Sequence, residues 1–80
     1  MMPLSKTEAA AINYLYKYGQ EYRYAAEIAR ESKVKKRTIY DSLDSLEEKG
    51  IVQKQLRGHM KFYKLTEKWT SVVKSINEFE

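Results

Sequence analysis

Apolar residues recur along this chain at helical spacing in four places and in strand-like runs between them. Ala11, Ile12, Leu15 and Tyr18 fall on one side of a helix. Ser5-Lys6-Thr7-Glu8 in front of them reads as a capping box with Pro3 upstream, and Gly19 closes the helix. Tyr22 and Tyr24 alternate, which predicts a very short strand within Glu21 to Tyr24. A second helix from Ala25 to about Glu31 points Ala25, Ile28 and Ala29 inward. Ser32-Lys33-Val34 is then a tight turn, with Val34 as its one apolar residue. A third helix from about Lys36 to Lys49 carries Ile39, Leu43 and Leu46 on one face, and Gly50 stops it. Ile51 to Leu56 and Lys61 to Leu65 are β-prone runs joined by Arg57-Gly58-His59-Met60, a hairpin signal. Thr66 caps a last helix with Trp69, Val72, Val73, Ile76 and Phe79 as its stripe. The order helix, strand, helix, helix, hairpin, helix predicts an α+β, mostly helical fold.

Eighty residues make one domain, 1–80, divisible into a core over 5–66 and a C-terminal helix over 67–80. A chain of this size buries only about 60 % of its unfolded surface, so an oligomer would help it. Cysteine is absent, which removes disulfides and thiolate metal sites, and His59 is the only histidine. No cofactor or metal is implied. There is no apolar run of the ~18 residues a membrane span needs and no signal-peptide pattern, so a cytoplasmic location is expected. The net charge of +4 favours an acidic partner.

The cations are not evenly spread. Lys35, Lys36 and Arg37 stand at the start of the third helix, and residues 33–37 hold four cations and no acid. The helix dipole places about half a positive charge at that end, so cations there are unfavourable by a few tenths of a kcal/mol each. An external anion would remove that cost, and phosphate is the obvious candidate. Asp41, Asp44 and Glu48 form an acidic stripe farther along, which reads as a solvated face. No nucleophile–base pair, Gly-rich phosphate loop or metal cluster is present, which argues against an enzyme.

Several segments resemble winged helix-turn-helix transcriptional regulators, closest to the TrmB-like and MarR-like groups. Ala26-Glu27-Ile28-Ala29 is similar to their second-helix signature. Lys36-Arg37-Thr38-Ile39-Tyr40 with Leu43, and Leu46-Glu47-Glu48-Lys49-Gly50-Ile51-Val52, are similar to the recognition helix and its exit. Phe62-Tyr63-Lys64-Leu65-Thr66 is similar to the strand that closes the wing. The resemblance covers roughly residues 7–68. Lys35 departs from it, standing where the family usually has a Ser, Thr or Asp cap. It implies a three-helix core, a two-stranded wing and an added C-terminal helix, with the third helix entering the DNA major groove N-terminal end first.

Lys33, Lys35, Lys36, Arg37, Thr38, Tyr40 and Asp41 then become candidates for DNA contact. Arg37 has the fork that bonds guanine O6 and N7 together, and its alternative is an i, i+4 pair with Asp41. Lys35 and Lys36 suit phosphates. Tyr40 can reach out with its hydroxyl or pack its ring against the second helix. Asp41 can also accept from cytosine N4. In the wing, Arg57, His59 and Lys61 are the candidates, flanked by Lys54 and Lys64, against the alternative of an ordinary charged hairpin tip. The Trp69, Val72, Val73, Ile76, Phe79 stripe either covers the domain's own core or joins two chains as a homodimer. The expected function is sequence-specific double-stranded DNA binding as a transcriptional regulator. The alternatives are a non-specific architectural DNA binder and a winged-helix protein–protein module.

Overall fold

Side-chain caps start the first and last helices, and residues at positive φ close the second and third. The structure, a computed structural model, describes residues 4–18 and 21–78. Helix α1 (Lys6–Tyr18) starts on the predicted capping box: the Ser5 N–H donates to Glu8 Oε1 at 3.0 Å, and the Glu8 N–H to Ser5 Oγ at 3.0 Å. Ala11, Ile12 and Leu15 are buried as their spacing requires. Tyr18 is not: it is exposed and stacks on Tyr14 at the helix surface. Gly19, expected to close the helix, lies outside the described residues.

Strand β1 (Arg23–Tyr24) leads into α2 (Ala25–Ser32), which buries Ala25, Ile28 and Ala29. The α2 terminus is a Schellman closure: the Lys33 N–H donates to the Arg30 carbonyl at 3.3 Å and the Val34 N–H to the Ala29 carbonyl at 3.2 Å. Lys33 takes the left-handed conformation this closure needs, at φ 57°, where glycine is the usual occupant. Helix α3 (Lys36–Glu48) follows after the three residues Lys33, Val34 and Lys35, with Ile39, Leu43 and Leu46 fully buried. It closes the same way through Gly50 at φ 75°, the Gly50 N–H reaching Glu47 and the Ile51 N–H reaching Leu46.

Strands β2 (Val52–Arg57) and β3 (Met60–Leu65) pair antiparallel from Val52↔Leu65 to Arg57↔Met60. The hairpin is tighter than the four-residue link expected, because Arg57 and Met60 continue the ladder and only Gly58 and His59 turn. Gly58 at φ 61° supplies the positive φ that a two-residue turn of the II′ kind needs at its first position. β1 adds to β3, so the sheet has three strands in the order β1-β3-β2 rather than the two of the wing alone. Tyr24 secures that edge by packing its ring 5.5 Å from Phe62.

Helix α4 (Glu67–Glu78) begins at Thr66, whose Oγ1 accepts from the Trp69 N–H at 3.4 Å. Its stripe divides. Val73 is buried in the domain's own core and Trp69 packs against it, Val72 is half-buried, and Ile76 is exposed. Phe79 lies outside the described residues.

One buried polar cluster clamps α1 to the end of α3. Glu8 is 7 % exposed; its Oε2 accepts from Lys49 Nζ at 2.9 Å and from Ser45 Oγ at 3.1 Å. The Lys49 ammonium holds the Glu8 carboxyl down to about 2, against the opposing effect of burial. The N-terminal cap of one helix thereby fixes the angle of another.

Candidate nucleic-acid interface

The N-terminus of α3 carries no cap of its own. Lys35 is extended there (φ −56°, ψ 137°) and makes no side-chain bond to the helix, and no acid lies in the first turn. The first intrahelical donor is the Ile39 N–H, bonded to the Lys35 carbonyl at 3.0 Å. The N–H groups of Lys36, Arg37 and Thr38 precede it and so lack an acceptor within the helix. Lys33, Lys35, Lys36, Arg37 and Thr38 are all exposed. The α2 closure at Lys33 stands two residues before the Lys35 that precedes the helix.

Among the described residues, no ion pair within 4.0 Å involves Lys33, Lys35, Lys36 or Arg37. Arg37 does not form the i, i+4 pair with Asp41 that was its alternative. Asp41 is exposed one turn along the same surface. Tyr40 is half-buried with its ring against the core, which favours its packing role over outward reach.

The wing is tied to this helix at two points. Tyr63 is buried, and its hydroxyl donates to Asp44 Oδ1 at 3.3 Å. Burial first, and then the Asp44 carboxylate, push the Tyr63 phenol well above the usual tyrosine range. Lys54 Nζ meets Glu47 Oε1 at 3.3 Å. Asp41, Asp44 and Glu48 are all exposed, as a solvated stripe requires, and Asp44 in addition accepts the Tyr63 hydroxyl.

At the tip, Arg57, His59 and Lys61 are exposed. Arg57 is directed along the face of the sheet away from α3. Its Nε and Nη2 donate to Gln55 Oε1 at 3.1 and 2.9 Å, and its guanidinium lies 4.6 Å from the Phe62 ring. The flanking Lys64 sits over the Tyr22 ring at 4.9 Å. Lys54 and Lys64 are therefore occupied within the domain. Alternation from Val52 was the signal for Lys54, since it places that residue on the core side of β2.

Among the described residues no cluster of His, Asp and Glu could hold a metal ion. No helix among them is long and apolar enough to cross a membrane.

The chain matches a family model described as sugar-specific transcriptional regulator TrmB over residues 1–69. No curated protein sequence matches it. Its fold is similar to that of solved regulators. Staphylococcus aureus MepR, a transcription regulator of the multidrug efflux pump MepA, superimposes with a TM-score of 0.81 at 19 % identity, covering 95 % of this chain and 57 % of that one. The MepR–DNA complex gives 0.81 at 19 % identity over 94 % of this chain and 63 % of that one. A point mutant of Lactococcus lactis ZitR gives 0.77 at 21 % identity over 96 % and 53 %. The chain thus spans little more than half the length of these regulators.

Proposed function

The chain belongs to the TrmB family of transcriptional regulators, and from that premise we propose that it binds double-stranded DNA in a sequence-specific way. The observation that carries this reading is the uncapped N-terminus of α3. Three backbone donors, the positive end of the helix dipole and four cations without acidic partners converge there, which is a phosphate-binding arrangement. The solved MepR–DNA complex, a protein of the same fold, supports it.

α3 enters the major groove with its N-terminal end. Lys33, Lys35 and Lys36 take phosphates and set the register, and Arg37 reads guanine with its fork. Thr38 and Asp41 lie next along the groove, and Tyr40 contributes chiefly by packing. His59 and Lys61 bring the wing to the neighbouring backbone or minor groove, while Arg57 stays on the opposite face with Gln55 and Phe62. Two chains joined through the exposed part of the α4 stripe present two copies of α3 to one duplex. The protein works in the cytoplasm as a binder, with no catalytic role.

Equilibrium binding as a function of salt tests the phosphate contacts. Four contacts from Lys33, Lys35, Lys36 and Lys61 give a log–log slope of about −3.6 per chain. A slope near zero would remove the phosphate-binding role of the α3 tip.

A further inference from the structure

We propose that Leu56 is an apolar contact of the wing in the DNA minor groove, made on the side of the hairpin that faces α3. The inference rests on the DNA-binding reading above and adds to it a residue and a groove.

Side chains alternate across β2 and β3, and the contacts along each strand identify the two faces. Val52, Tyr63 and Leu65 enter the core, Lys54 meets Glu47 of α3, and Tyr63 meets Asp44 of α3. Leu56 follows Lys54 on this face, and Lys61 precedes Tyr63. The two stand directly opposite one another in the ladder, beyond the reach of the core. Arg57 and Met60 belong to the other face, where Gln55 and Phe62 hold the Arg57 guanidinium. What the wing offers on the side of α3 is therefore one leucine and one lysine.

Leu56 is 61 % exposed, the most exposed of the large apolar side chains among the described residues. An exposed apolar side chain on an edge strand is a liability that a polar residue would remove. The partner that would cover it is chosen by charge. The hairpin from Val52 to Leu65 contains Lys54, Arg57, Lys61 and Lys64 and no Asp or Glu. A minor groove joins an apolar sugar wall to a phosphate rim, and Leu is among the side chains that minor-groove proteins insert. Leu56 takes the wall and Lys61 the rim.

The test compares the intact chain with Leu56→Gln and Lys61→Gln on a duplex selected from a random library and flanked by A·T pairs, using fluorescence anisotropy. Leu56→Gln leaves thermal stability unchanged and weakens binding about tenfold with an unaltered salt slope. Lys61→Gln reduces the slope by about one. Netropsin, which occupies the A·T minor groove, brings the intact chain down to the level of Leu56→Gln. Equal affinities for the intact chain and Leu56→Gln, or a tenfold gap that persists under netropsin, overturns the proposal while leaving DNA binding standing. An intact chain that binds no duplex overturns both.

Discussion

The Tyr63 hydroxyl on β3 donates to the Asp44 carboxylate on α3 at 3.3 Å, so the wing and the helix beside it are set relative to one another by a bond from a buried side chain. Tyr63→Phe keeps the ring and removes the donor. It is expected to lower stability by about 1.5–3 kcal/mol, the usual range for a bond to a charged group, as read from denaturant unfolding. Unchanged stability would make the contact incidental.

Glu8 makes the protein sensitive to acid. Its folded-state pKa of about 2 lies below the ordinary 4.5, so the unfolded chain takes up this proton first as pH falls. The stabilisation is complete above pH 4.5 and is lost as pH drops towards 2, and amounts to at most about 3 kcal/mol. Glu8→Gln should flatten that part of the stability–pH curve and lower stability at neutral pH. A curve of unaltered shape would show that the Lys49 and Ser45 contacts do not hold Glu8 ionised.

Lys33 sets stability against binding. At φ 57° a lysine is strained relative to glycine by about 1 kcal/mol. Lys33→Gly is expected to raise stability by about that amount and to lower the salt slope of DNA binding by about one, as a cation is lost. Higher stability with an unaltered slope would remove Lys33 from the phosphate contacts.

Much of this was legible in the sequence because local chemistry and periodicity agree. The Ser5/Glu8 cap, the burial of Ile39, Leu43 and Leu46, and the stop at Gly50 follow from spacing and residue type. What was not legible depends on partners distant along the chain. Glu8 reads as a cap, and nothing nearby announces that Lys49 will reach it. Asp44 is solvated as it reads, but nothing near it in the chain announces that Tyr63 of β3 will donate to it. The hairpin turn is two residues shorter than propensity suggests, because Arg57 and Met60 have weak strand signals of their own and cross-strand pairing brings them into the ladder. At the candidate site the cations were visible one by one, and the structure adds which are free and which, like Lys54 and Lys64, are engaged.

The split α4 stripe redirects the test of assembly. Val73 is buried in its own domain, so Val73→Asp would unfold the chain rather than separate two chains. Ile76 is 54 % exposed and is the informative position. The intact chain is expected to sediment as a dimer at micromolar concentration, and Ile76→Asp as a folded monomer. A monomeric intact chain would leave the whole stripe to the domain's own surface.

The central claim, that the α3 tip reads DNA sequence, is tested most directly by measuring affinity for a selected duplex and for random duplex at one salt concentration, with the intact chain and with Arg37→Ala. The account predicts a preference of about 10³ or more for the selected site, reduced about tenfold or more when Arg37 is removed. Equal binding of the intact chain to both duplexes would contradict it.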